Sequence, residues 1–195
     1  RLNASREEIN QLQENLAVVR TESLTDPLTG LANRKHFDQQ LADTMAEAAE
    51  RSEPLSLAMA DIDHFKRIND SHGHHVGDKA LCEVARVLRT AIRPYDICVR
   101  YAGDEFIVVL SGCGADEADH KREELQKSID EVYFEARPGK RVILGISVGA
   151  AVFPQDGESY EALLATADSR MYQDKSGRKR RTGRDYPTTN VLAAN

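Results

Sequence analysis

Arg100-Tyr101-Ala102-Gly103-Asp104-Glu105-Phe106, continuing as Ile107-Val108-Val109-Leu110, is the stretch whose reading decides the fold. A glycine and two adjacent acids separate two segments of strand character, at 97–101 and 105–110. Glycine permits the backbone angles of a tight turn. The pattern therefore predicts a hairpin with Asp104 and Glu105 at its tip. Exposed paired carboxylates repel one another unless a cation lies between them. A second acidic pair closes another apolar run, where Leu55-Ser56-Leu57-Ala58-Met59-Ala60 ends in Asp61-Ile62-Asp63. Two strand ends bearing carboxylates in one small domain point to a hard divalent cation and to phosphoryl transfer.

Working outward, a helix is expected to begin near Asn33, burying Phe37, Leu41, Met45 and Ala48. Pro54 breaks the chain before a strand at 55–61. A second helix is expected over 77–92, with Leu81, Val84, Leu88 and Ile92 inward, and a third over 115–134, with Leu125, Ile129 and Val132 inward. Residues 141–153 read as one long strand, in which Val142, Leu144, Ile146 and Val148 alternate. Gly145 and Gly149 within it imply close backbone approach or bulges. The last helix is expected over 159–174, with Tyr160, Leu163, Leu164, Ala167 and Met171 inward. This order predicts an α+β domain over 23–183. Ahead of it, Leu2, Ile9, Leu12, Leu16 and Val19 recur at the spacing of a coiled-coil seam. Residues 1–22 are thus expected to be a helical stalk that pairs two copies, the alternative being a helix packed on its own domain. Residues 184–195 carry no pattern and are expected to be disordered.

The chain has 195 residues, 41% of them hydrophobic, which suits one domain with a real core and excludes a disordered chain. No apolar run approaches the ~20 residues of a membrane span, so no membrane contact is expected. No signal peptide is visible, and the start at Arg1 reads as a fragment whose upstream part is missing. The net charge of −6, from 26 basic and 32 acidic residues, argues against a nucleic-acid partner. Positive charge gathers in Arg178-Lys179-Arg180-Arg181 and Arg184, either as a solvated tail or as charges that reach a phosphate. Cys82, Cys98 and Cys113 have no metal-type spacing, and their odd number fits a reducing cytoplasm.

These residues resemble the GGDEF family, the diguanylate cyclases. Besides Ala102–Phe106, the resemblance rests on Asp26-Pro27-Leu28-Thr29-Gly30-Leu31-Ala32-Asn33-Arg34, similar to D-x-L-T-G-L-x-N-R. Asp61-Ile62-Asp63-His64-Phe65-Lys66-Arg67-Ile68-Asn69-Asp70 is similar to D-x-D-x-F-K-x-x-N-D, and Gly73-His74-His75-Val76-Gly77-Asp78 to G-H-x-x-G-D. The motifs keep the family's order from residue 24 to residue 180. One departure is Ala102, where the signature has its first glycine. The resemblance implies a central antiparallel-type sheet flanked by helices, like the palm of nucleotide cyclases and polymerases. It implies a cytoplasmic bacterial enzyme, or the cytoplasmic part of a larger membrane-anchored protein. The reaction implied joins two GTP into cyclic di-GMP and two pyrophosphates, with Mg²⁺ or Mn²⁺, in a homodimer joined through the N-terminal helix.

By the same resemblance, Asp61, Asp104 and the carbonyl of Ile62 hold the metal, with Asp63 a weaker candidate for a second one. Asp104 or its neighbour Glu105 accepts the hydroxyl proton. Lys66 neutralises phosphate charge, and the amides of His64, Phe65 and Lys66 cradle the terminal phosphates. Asn69 and Asp78 read guanine, whose edge pairs an acceptor with two donors; Asp78 could also serve a helix N-terminus. Asp70 and His74 shape this loop beside the substrate. Tyr172-Gln173-Asp174-Lys175-Ser176-Gly177-Arg178 is similar to Y-x-A-K-x-x-G-R with the Gly-Arg pair one residue early. Lys175 is then a phosphate ligand, and Arg178 and Lys179 compete for a second such role. Arg93-Pro94-Tyr95-Asp96 has the spacing of the family's R-x-x-D inhibitory site for cyclic di-GMP. The alternative to an active enzyme is a catalytically silent cyclic di-GMP receptor that uses Arg93 and Asp96.

Overall fold

Strand β2 (Leu55–Ile62) is buried along its whole length and forms the spine of the domain. In a computed structural model that describes residues 2–182, it lies between β4 (Glu105–Ser111) and β7 (Ile146–Phe153). The five-stranded sheet continues from β4 to β3 (Ile97–Ala102) and to the short β1 (Ala32–Asn33), in the order β1-β3-β4-β2-β7. Every pairing is antiparallel except the two-residue contact of β1 with β3. The other elements are α1 (Leu2–Leu24), α2 (Arg34–Arg51), α3 (Phe65–His72), α4 (His74–Thr90), α5 (Ala115–Asp130), the hairpin β5 (Phe134–Arg137) and β6 (Lys140–Val142), and α6 (Tyr160–Thr182). The expected α+β sheet flanked by helices is therefore what the chain forms. The expected tail at 184–195 lies outside the described residues, as does the side chain of Lys179.

Strand alternation sorts the core into two layers. Leu55, Leu57 and Met59 of β2, with Ile107 and Val109 of β4, meet Phe37, Leu41 and Met45 of α2 and Leu163, Ala167 and Met171 of α6. Ala58, Ala60, Ile62, Phe106, Val108 and Leu110 point the other way, against α3, α4 and α5. Local chemistry sets the ends of α2. Asn33 has extended backbone and its Oδ1 accepts from the His36 amide at 3.0 Å. Ser52, in the left-handed region, returns its N–H to the last carbonyls.

Four expectations need correction. The segment treated as a shaped loop after Asp63 is the helix α3, and α4 starts at His74 rather than 77. Gly73, at φ +87°, separates the two helices, and α3 buries only Ile68 fully, too little to show as a periodic stripe. The third helix stops at Asp130, and Phe134 belongs to a hairpin turned by Gly139 at φ +76°. Val132 happens to continue the Leu125–Ile129 spacing and so conceals the break. The strand expected over 141–153 is interrupted between Val142 and Ile146, where the Gly145 carbonyl accepts from the Asp63 amide at 2.8 Å. Finally, α6 runs past 174 to Thr182, about two turns beyond the expected end.

The stalk expectation meets a simple observation. Ile9, Leu12, Leu16 and Val19 of α1 are 53–63% exposed, so this stripe does not pack on its own domain. Among the described residues, no helix is long and apolar enough to cross a membrane.

Close approach at Gly149 is borne out. A Cβ there would lie 2.1 Å from both the Ala167 carbonyl oxygen and the Met171 nitrogen, so α6 rests directly on the β7 backbone. Gly149→Ala is expected to lower the unfolding free energy by about 3 kcal/mol, the upper end for overpacking. Urea denaturation checks this, and a change under about 0.5 kcal/mol would contradict the packing described.

Candidate active site

The β2–β4 register puts Asp61 directly opposite Glu105. One residue on, the Ile62 amide donates to the Asp104 carbonyl at 3.1 Å, tying the hairpin tip to the strand end. Sheet pairing alone therefore gathers Asp61, Ile62, Asp104 and Glu105. A register shift between Arg100 and Ala102 precedes the turn, a bulge of the kind that re-aims side chains beside sites. The turn itself does not need glycine's special angles. Neither Ala102 nor Gly103 is among the described residues with positive φ, and nothing lies within 4 Å of a Cβ built at Gly103. The expectation that Gly103 supplies an unusual turn conformation is thus corrected. Ala102 is exposed and unstrained in the position where the signature has glycine.

Burial, with like charges added to it, dominates the electrostatics. Burial, with the charges of Asp104 and Asp63 added, pushes the Asp61 carboxyl up even though Lys175 Nζ sits 2.6 Å from its Oδ1. Burial also pushes Glu105 up, helped by Asp61, Asp104 and Asp168. For Lys175, burial alone favours the neutral amine, but Asp61, Asp104 and Asp63 together hold the ammonium charged. Arg178 Nε donates to Asp63 at 2.8 Å and its Nη2 to Asp130 at 2.8 Å. Ser147 also donates to Asp63. Arg178 and Ser147 thus engage both carboxylate oxygens of Asp63. A Cβ at Gly145 would lie 2.9 Å from Arg178 Nη2 and 3.0 Å from Asp63 Oδ2, so this glycine makes room for the pair.

The donor set suits a hard cation. Among the described residues, no three His, Cys, Asp or Glu side chains converge into a cage. Mg²⁺ does not require one: it takes one or two carboxylates and completes its shell with water and substrate phosphates. Acids pushed toward protonation by one another are the kind that a dication relieves.

Next to the acids, His64 has φ +56° and makes no side-chain cap, so α3 begins at a sharp corner. Lys66 follows, exposed, in its first turn. Farther along α3, Asn69 Oδ1 is buried without a hydrogen-bond partner. Such an acceptor costs about 1–3 kcal/mol unless something binds to it. A Cβ at Gly77 would sit 1.8 Å from this oxygen, so Gly77 makes the space Asn69 occupies, next to exposed Asp78. His74, exposed, opens α4. A cleft of about 620 Å³, lined by Asp63, His64, Ile68, Lys175 and Arg178 among others, adjoins the acids.

Sequence reading missed three groups here. Asp130 and Ser147 look like ordinary polar residues, and only their contacts mark them. The third is a strap to the hairpin tip. Arg100 Nη1 contacts both carboxylate oxygens of Asp26 at 3.1 and 3.2 Å, and its Nε and Nη2 donate to the Gly103 carbonyl at 3.1 and 2.9 Å. Asp26 lies two residues after α1 ends. Arg93 and Asp96 sit at the opposite end of the hairpin. Their side chains pair at 3.0 Å, the guanidinium also donates to the Ser111 carbonyl, and it lies 4.6 Å from the Tyr95 ring centre.

Comparison with known proteins fits this geometry. A family model described as diguanylate cyclase, GGDEF domain, matches residues 23–181. The chain is 37% identical over 162 residues to diguanylate cyclase A of Treponema denticola, covering 81% of this chain and 43% of that protein. It is 36% identical over 168 residues to the cyclic di-GMP phosphodiesterase NbdA of Pseudomonas aeruginosa, covering 86% of this chain and 21% of that one. The chain thus spans less than half the length of these curated relatives. Among solved structures, the coiled coil and GGDEF domain of DgcB from Caulobacter crescentus, in complex with c-di-GMP, matches with a TM-score of 0.83 and 33% identity. That match covers 91% of this chain and 93% of the other.

Asp26 yields a pH test. Burial tends to raise its carboxyl, but hydrogen bonds from the Thr29 hydroxyl and amide and from Arg100 outweigh burial and hold it below the ordinary 3.8. Its contribution to stability is present above that ordinary value and is lost as pH falls through the lower folded one. Between about pH 5 and about pH 3, Asp26→Asn should lose less unfolding free energy than wild type. Denaturant titrations at both pH values check this; equal losses would contradict it.

Proposed function

Since the chain belongs to the diguanylate cyclase, GGDEF domain family, we propose that it condenses two GTP into cyclic di-GMP and two pyrophosphates. The observation that carries this reading is the set of carboxylates at the β2 end and hairpin tip, with Lys175 on Asp61. In each half of the reaction the 3′-oxygen of one GTP bonds to the α-phosphorus of the other. The bond from that phosphorus to the β-phosphate oxygen breaks and pyrophosphate leaves.

Asp61, Asp104 and the Ile62 carbonyl hold a Mg²⁺ or Mn²⁺ ion, which supplies positive charge against the triphosphate when bound. Asn69 and Asp78 take the guanine edge, the Asn69 amide donating to the base's carbonyl or ring nitrogen and Asp78 accepting from the ring N–H and exocyclic amine. The amides of His64, Phe65 and Lys66 at the start of α3 face the phosphates, together with Lys66 and Lys175. Arg178 joins them by way of the Asp63–Asp130 pairing that positions it. The proton of the attacking hydroxyl passes to one of the two acids at the tip, Asp104 or Glu105. Ala102 is compatible with turnover because its backbone carries no strain.

Each domain binds one GTP, so two must face one another. The exposed stripe of α1 supports a pairing of two stalks, which raises the local concentration of the second domain. Arg93 and Asp96 form the site where product binds and inhibits, and a cleft of about 490 Å³ opens beside Arg93.

Purified chain, freed of bound nucleotide and incubated with GTP and Mg²⁺, is expected to yield cyclic di-GMP on chromatography. Asp104→Ala should reduce the rate at least about a hundredfold. Arg93→Ala should keep the fold, accumulate more product, and require about tenfold more added cyclic di-GMP for half inhibition. No product from wild type or from Arg93→Ala would shift the reading to a silent cyclic di-GMP receptor. Unchanged inhibition in Arg93→Ala would remove the inhibitory site.

A further inference from the structure

The ammonium of Lys175 rests on the carboxylate that the proposed function gives to the metal. Its Nζ is 2.6 Å from Asp61 Oδ1, and the Asp61 side chain is only 8% exposed. The contact is built into the fold. Leu163, Ala167 and Met171 seat α6 on the sheet, and Lys175 continues their spacing by one more turn to the end of β2. Arg178, the other cation here, is engaged by Asp63 and Asp130. Asp61 without a counter-charge would be a buried anion facing two further acids, and uncompensated buried charges are strongly destabilising. Lys175 therefore balances Asp61 before any substrate arrives.

We propose that Lys175 is an internal placeholder for the divalent cation, holding Asp61 until a nucleoside triphosphate draws its ammonium away. The cation then binds with the nucleotide and not ahead of it. This rests on the metal role proposed for Asp61. Ammonium and dication compete for the same carboxylate, and a displaced ammonium needs another anion within reach. The triphosphate is that anion. Linkage makes the effect reciprocal: whatever the nucleotide does for metal affinity, the metal does for nucleotide affinity. Removing the ammonium should strengthen metal binding in the absence of nucleotide and weaken the coupling between the two ligands.

The test is titration of Mn²⁺ into the 195-residue chain, followed by electron paramagnetic resonance. It is run with and without a GTP analogue whose α–β bridge cannot be cleaved. Wild type is expected to bind Mn²⁺ weakly alone and more tightly with the analogue. Lys175→Met should bind Mn²⁺ alone about tenfold more tightly than wild type, the size of an ordinary coupling between sites. It should gain little more from the analogue. Lys175→Gln, which keeps a donor against Asp61, should shift the same way and guards against loss of fold in the methionine variant. Folded variants that bind Mn²⁺ alone no better than wild type would overturn the placeholder, while loss of binding in Asp61→Asn would leave the metal role standing. Full Mn²⁺ binding by Asp61→Asn with the analogue would overturn the metal role, and the placeholder with it.

Discussion

Like charge crowded at the end of a sheet is the constraint on which the rest of this structure depends. Register pairs Asp61 with Glu105, and a backbone hydrogen bond brings Asp104 alongside. Left alone, these acids would repel one another. The surrounding elements answer that repulsion. Two extra turns of α6 carry Lys175 and Arg178 to the acids. The break between β6 and β7 lets Gly145 bond the Asp63 backbone and clears space for the Asp63–Arg178 pair. The end of α5 adds Asp130 behind Arg178. Lys175 and Arg178 thus offset part of the negative charge before any substrate arrives.

The hairpin links this site to two distant features. On one side, Arg100 joins the Gly103 carbonyl to Asp26, just past the end of α1. The segment just after α1 is thus joined by a short run of charged hydrogen bonds to the residue before Asp104. On the other side, Arg93 and Asp96 lie at the far end of β3, whose six residues span about 20 Å. The strand separates this pair from the acids by its whole length.

Much of this could be read from sequence, and the exceptions have physical causes. The β2 run, the hairpin and α2 were legible because apolar alternation, adjacent acids and the Asn33 cap are local signals. The carboxylates followed from their places at strand ends. Helix α3 was not legible, because it is eight residues long and buries only Ile68 fully. Asp130, Ser147 and the Asp26–Arg100 pair act through contacts separated by many residues, which no spacing rule contains. Gly103 shows the opposite error: a glycine in a turn invited a conformational explanation, whereas its surroundings offer only open space for an approaching ligand.

The most direct test of the account is to locate a divalent cation and a nucleotide together. Crystals of the chain grown with Mn²⁺ and the non-cleavable GTP analogue would show the ion by anomalous scattering. The account predicts one Mn²⁺ peak within coordination distance of Asp61 and Asp104, phosphates reaching Lys175 after it leaves Asp61, and guanine against Asn69 and Asp78. A Mn²⁺ peak away from both carboxylates, or a base out of contact with Asn69 and Asp78, would contradict it.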